Sequence, residues 1–250
     1  MWLSPRRSAA AMAALGVCGV AYLGPAVLDE PVLMAKIAFV LAAWGLLAAV
    51  RLTDMATRGW GRLLLYVVFV GNIGMMWTVE FGALGPTLNG LAALILIIAA
   101  PLPRHVSVSS GPERRMVYPL TLPWVAVYTL WNACVLLAFR WPGIEARDGS
   151  WGALAVAQVL GILLACRLRP EHYLEARVQT LALVMMATFV QPIRSRVLLT
   201  PGWLTPEVTV PFGGAAVLAG VVVVGHAVWR VRRGDPPLTP LDHALVRLLR

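Results

Sequence analysis

Charge is scarce in this sequence. Only 13% of its 250 residues are Asp, Glu, Lys or Arg, against about 25% in soluble domains. Lysine is almost missing: of 21 basic residues, 20 are Arg and one is Lys36. The three cysteines, Cys18, Cys134 and Cys166, lie singly in apolar runs with no CxxC pair, which leaves no disulfide framework and no thiolate metal site. There is no HExxH, no GxSxG and no P-loop, so the common metalloprotease, serine-hydrolase and nucleotide-cradle chemistries have no anchor here. No internal repeat is evident, which counts against the duplicated architecture of many transporters.

Apolar residues are abundant at 59%. Eight membrane helices of ~20 residues would occupy ~160 mostly apolar positions. That uses nearly the whole chain and excludes a soluble domain or a nucleic-acid-binding module, despite a net charge of +9. The expected fold is all-α, a polytopic bundle of about eight transmembrane helices in the cell membrane. The apolar runs are Ser8–Leu28, Val32–Leu52, Gly61–Phe81, Ala83–Leu102, Met116–Trp141, Trp151–Leu168, Leu174–Val197 and Val208–Val231. The first has signal-peptide character, with Arg6 and Arg7 before an Ala-rich core, and is read as a span.

With a cytoplasmic N-terminus, sixteen arginines fall inside and only Arg140, Arg147, Arg194 and Arg196 fall outside. That asymmetry puts both termini in the cytoplasm and requires an even number of spans. Residues 1–233 form the bundle, and residues 234–250 form a tail. Thr239 and Pro240 signal a helix start, with Asp242 in its first turn. Leu241, Ala244, Leu245, Leu248 and Leu249 then share a face, as in an amphipathic helix lying on the inner membrane surface.

This orientation gives each intramembrane polar residue a depth. Asn72, Met76 and Glu80 form one helical stripe at i, i+4 and i+8, with Trp77 beside it. Trp124, Tyr128, Trp131 and Asn132 form an aromatic stripe next to an amide. Asn89, Gln158 and Gln191 add amides from other spans, and Lys36 and Arg194 add cations near the outer ends. The expected result is an outer-half cavity with an acid, several amides and aromatic walls. Single amides also serve as interhelical glue, and Glu80 has Lys36 or Arg194 as candidate partners. In EHYLEAR, Glu171, His172 and Glu175 stand at helical spacing among arginines, read as a solvated helix start rather than a metal site.

AKIAFVLAAWGLLAAVRL, GNIGMMWTVEFG, VYTLWNACVL and EARVQTLALVMMATFVQP together resemble an uncharacterised bacterial family of small polytopic membrane proteins. YxLWN-like and RxQTLALxMM-like spans recur in that family, and the likeness covers Val32–Pro192. The family's pattern places acids at the Met75 and Glu80 positions, and this chain keeps Glu80. More distantly, the chain is similar to the integral-membrane terpene cyclases of meroterpenoid pathways. That likeness implies a metal-independent enzyme, without cofactor, that protonates a polyprenyl alkene or epoxide to start a carbocation cyclisation. Glu80, Asn72 and Asn132 would be catalytic; Trp77, Tyr128, Trp131, Met76, Asn89 and Gln191 would bind the lipid-soluble substrate. The alternatives are a small proton-coupled transporter or anion-binding membrane protein using Lys36, Arg194 and Arg196, and a non-catalytic accessory subunit. The expected partners are a lipid-soluble small molecule and membrane lipids.

Overall fold

The computed structural model describes residues 31–84, 88–138, 169–189 and 209–249, with isolated positions at Arg6, Arg7, Ala10, Ala13, Ala14, Leu160, Leu164 and Cys166. The first and sixth apolar runs therefore lie almost wholly outside the described residues, as do Gln158, Gln191, Arg194 and Arg196.

Seven α-helices are described: α1 (Pro31–Leu52), α2 (Gly59–Leu84), α3 (Leu88–Ile98), α4 (Leu122–Ala138), α5 (Tyr173–Phe189), α6 (Thr209–Arg232) and α7 (Pro240–Leu249). Two stretches, Gly59–Trp77 in α2 and Val210–Arg232 in α6, are long and apolar enough to cross a membrane. The chain is thus mostly helical, with a small exception to the all-α expectation. Ser107–Val108 (β1) and Met116–Val117 (β2) form a two-residue antiparallel ladder, pairing Ser107 with Val117 and Val108 with Met116.

Helix boundaries follow local chemistry. The expected span Met116–Trp141 begins only at Leu122, because Pro119 forces Tyr118 into extended backbone. Thr121 then caps the helix, its Oγ1 accepting the Trp124 N–H at 3.3 Å, and Pro123 sits in the first turn. The expected span Ala83–Leu102 is likewise shorter: α2 continues to Leu84, and α3 covers Leu88–Ile98. The reversal from α1 to α2 is tight enough to require Gly61, where a Cβ would lie 2.3 Å from the Met55 carbonyl oxygen. Gly234, with φ of +80°, ends α6 in the left-handed cap that glycine favours.

α4 packs on α6, α3 on both, and α1 on α5. α6 turns Gly213, Ala216, Gly220, Val223 and Ala227 inward, and a Cβ at Gly220 would lie 2.6 Å from Ile95 Cδ1. The core joins Leu47 and Val50 of α1, Phe69 and Ile73 of α2, Leu96 of α3 and Trp124, Tyr128 and Trp131 of α4.

The described connections, between α1 and α2, α3 and α4, and α6 and α7, gather at one end. The Tyr118 N–H donates to the Glu171 carbonyl at 2.9 Å, and the Leu102 N–H donates to that of Leu238 at 2.8 Å. Arg104 reaches the Pro237 carbonyl. This end carries Arg51, Arg58, Arg62, Arg104, Arg114, Arg115 and Arg230.

Candidate functional site

α5 enters the bundle from this basic end and presents two polar faces. The first is built on Glu175, which is fully buried. Its Oε1 lies 3.2 Å from Arg51 Nη1 and accepts from Gln179 Nε2 at 3.4 Å. Its Oε2 accepts the Met116 N–H at 2.8 Å. Arg51 also donates to the carbonyls of Glu113 at 2.8 Å and Arg114 at 3.3 Å. Arg114 answers by donating to the Arg51 carbonyl at 2.6 Å and to the Thr53 carbonyl. These are carbonyls that the end of α1 leaves without helical partners. Arg51 and Glu175 thus fasten α1, the hairpin and α5 together. The expected solvated start at EHYLEAR is corrected: His172 and Glu175 are buried, and His172 Nδ1 faces the Met116 carbonyl at 3.3 Å. The hairpin folding back over the helix start removes water from both.

The second face carries Arg177, which is 5% exposed. Arg177 Nη2 donates to Asn132 Oδ1 at 3.0 Å, and its Cζ lies 5.8 Å from the Tyr128 ring centroid, within cation–π range. Its Nε and Nη1 are buried without a hydrogen-bond partner among the described residues. No described carboxylate is paired with it; its neighbours are an amide and an aromatic face.

Arg177 lines a cavity of about 60 Å³ between α1, α2, α4 and α5. Phe39, Leu47, Phe69 and Leu181 supply apolar wall, Met116 bounds it from the hairpin, and Asn72 and Tyr128 also line it. Arg177 is the one charged residue among the described lining residues. Beside it, Trp124 stacks on Tyr128 at 5.3 Å, and Tyr128 lies 5.6 Å from Trp131.

Of the residues expected at a site, Asn72 and Tyr128 line this cavity, and Asn132 holds Arg177. Trp131 and Asn89 lie buried on the α3 side, where Asn89 Nδ2 donates to the Trp131 carbonyl at 3.4 Å. Met76 is buried in the core. Trp77 packs toward Gly90 of α3, whose Cβ position would be 3.0 Å from its Nε1. Glu80 lies on α2 and Lys36 on α1, but their side chains are outside the described residues, as is Gln191. The described cavity sits nearer the basic end than expected, reaching from Asn72 toward Met116. Arg177 entered the sequence reading as an orientation charge and as the Arg of the RxQTLALxMM-like stretch, not as a site residue. The available signal was its place one turn inside an apolar run, four residues after Tyr173.

No protein-family model, curated protein or solved structure matches this chain.

Proposed function

We propose that the chain is a multi-pass membrane protein that binds the anionic end of a lipid-soluble small molecule at Arg177. The eight-span arrangement with the basic end in the cytoplasm is part of this reading. It is supported by the outward faces of α2 and α6, where Leu63, Leu64, Val67, Leu218, Val221 and Val222 are exposed. Aqueous solvent penalises such contiguous apolar faces; lipid does not.

One observation carries the functional reading: a buried guanidinium with two unpartnered nitrogens in the wall of an apolar cavity. Arg177 lies one turn into α5 from the basic end; burying a guanidinium there without a counter-charge is costly, and ionisable residues inside a membrane bundle persist where they serve a ligand or a partner. At ~6 Å and an effective dielectric of ~20, a guanidinium attracts a single negative charge by roughly 3 kcal/mol. It repels a carbocation by the same amount. The cavity is also small beside the ~300–1,000 Å³ of sites that enclose a drug-sized molecule.

The test is extraction of small molecules from protein purified out of native membranes, followed by mass spectrometry. An anionic, apolar-bodied species should accompany the wild type and be missing from Arg177→Gln. Identical extracts from both would remove the reading.

The metal-independent cyclase is a second reading, favoured by the aromatic column of Trp124, Tyr128 and Trp131 beside the cavity. It assigns proton donation to Glu80. Under it, Glu80→Gln lowers product formation from prenylated or epoxidised lipids by about 10²–10⁴-fold while leaving the melting temperature unchanged. Unchanged product formation would dismiss Glu80 as the donor.

A further inference from the structure

The arginines gathered at the basic end differ in what balances them. Arg51, Arg58, Arg115 and Arg230 face the carboxylates of Glu175, Asp54, Glu113 and Asp242 at 3.2, 3.4, 2.9 and 3.3 Å. Arg114 is occupied by the carbonyls of Arg51 and Thr53. Arg62 and Arg104 have no salt-bridge partner among the described residues. They share one patch, because Arg62 Nη1 donates to the Arg104 carbonyl itself at 3.5 Å.

The surroundings of this patch add donors and positive potential. Arg104 Nε donates to His105 Nε2 at 3.1 Å, and its Nη2 donates to His243 Nε2 at 2.9 Å and to the Pro237 carbonyl at 3.4 Å. Arginine has only N–H groups to give, so both imidazoles accept at Nε2 and keep their own N–H at Nδ1. These bonds fix the Arg104 guanidinium, and its Nη1 makes no hydrogen bond among the described residues. Arg62 Nη2 is likewise unbonded and, unlike Nε, is not enclosed. The nearby carboxylates, Asp242 and Asp235, both lie on Arg230. Burial, Arg104, His243 and Arg230 accordingly outweigh Asp242 and hold the His105 pKa down.

Depth identifies the anion. Trp60, Leu63 and Leu64 flank Arg62 on α2 and are exposed, so the apolar outer face of that helix begins at the level of Arg62. Trp229, near the end of α6, is also exposed, with Arg233 Cζ 4.8 Å from its ring centroid. Exposed Trp beside Arg is the pattern of a membrane–water interface, and the anions held at that level are lipid phosphates.

We propose that Arg62 and Arg104 bind the headgroup phosphate of an anionic phospholipid in the cytoplasmic leaflet, with its acyl chains along Leu63 and Val67 of α2. This rests on the membrane-bundle part of the reading above and is independent of Arg177.

The experiment is native mass spectrometry of the full chain in detergent micelles, titrated with phosphatidylglycerol or phosphatidylcholine of identical acyl chains. Phosphatidylglycerol should bind at least about tenfold more tightly, since each arginine at an anionic surface contributes about fivefold. Arg62→Gln and Arg104→Gln should each remove about fivefold of that affinity. Arg58→Gln, whose guanidinium is balanced by Asp54, should leave it unchanged. Arg104→Gln also breaks the contacts to Pro237 and His243, so Arg62→Gln carries the test if that variant loosens α7. Equal losses in Arg58→Gln and Arg62→Gln would reduce the effect to diffuse charge and overturn the site. Inorganic phosphate at matched ionic strength should not displace phosphatidylglycerol; displacement would make the ligand a soluble phosphate and overturn the lipid assignment. Equal binding of the two lipids would overturn the site and leave the bundle in the membrane. A chain that stays soluble without detergent and binds neither lipid would overturn the membrane reading with it.

Discussion

Arg51 has an acid at 3.2 Å and carbonyls on its remaining nitrogens, whereas Arg177 has an amide and an aromatic face. The two arginines are equally hidden, so their different partners must reflect different work. Glu175→Gln leaves Arg51 buried without its counter-charge, and breaking a buried pair costs about 3–5 kcal/mol. The melting temperature of the purified protein should fall accordingly. An unchanged melting curve would show that water reaches Arg51. Asn72, Tyr128 and Asn132 were legible in the sequence, because helical spacing puts amides and aromatics on inward stripes. Glu175 and Arg177 were not. Near a helix start, spacing does not reveal that a distant hairpin will cover the turn, and an arginine beside other arginines reads as topology rather than as a site.

At the scale of elements, α7 shows how far local chemistry carries. Thr239 and Asp242 form the reciprocal cap that the sequence implies: the Asp242 N–H donates to Thr239 Oγ1 at 3.0 Å, and the Thr239 N–H donates to Asp242 Oδ2 at 3.0 Å. The tertiary half of its role was hidden. Asp242 Oδ2 also accepts from Leu238 and pairs with Arg230 of α6 at 3.3 Å, so the first turn is docked. Leu248 and Leu249 remain exposed, available to a membrane surface. Asp242→Ala should therefore cost about 1–3 kcal/mol through the lost cap and stranded donors. Limited proteolysis within residues 234–250 should accelerate, and an unchanged cleavage rate would mean that the docking contributes nothing.

The connection that faces α7 has a pH dependence. Arg104 Nε donates to His105 Nε2 at 3.1 Å, and Arg104 Nη2 lies 2.9 Å from His243 Nε2. Burial first, then Arg104, His243 and Arg230, hold the His105 pKa below its usual 6.5, with Asp242 opposing them. The folded state thus takes up a proton at His105 less readily than the unfolded state. Its stability contribution is present above about pH 6.5 and is lost as pH falls through the lowered value. Acidification from pH 7.5 to 5.5 should lower the melting temperature of the wild type more than that of His105→Gln. Equal losses would place the acid sensitivity elsewhere.

For the whole molecule, apolar run length made a mostly helical chain, with α2 and α6 apolar enough to cross a membrane, legible before any packing was known. The described connections do converge on one arginine-rich end. Reporter fusions after Leu28, Gly82, Gly149 and Thr205 should report the outside, and one after Arg250 the inside; an outside C-terminus would reverse the depth of every polar residue. Packing alone decided where the cavity lies, since the hairpin that bounds it comes from a segment read as the start of a span. The claim that matters most is that the bundle carries Arg177 for a ligand and not for itself, and thermal unfolding in nanodiscs with and without the anion co-extracted with the wild type tests it directly. Arg177→Gln should melt no lower than the wild type without ligand. That anion, added back at about 100 times its Kd, should stabilise the wild type by about 2.7 kcal/mol and leave the variant where it was. A variant that melts as far below the wild type as Glu175→Gln does, or that the added anion protects equally, would contradict the account.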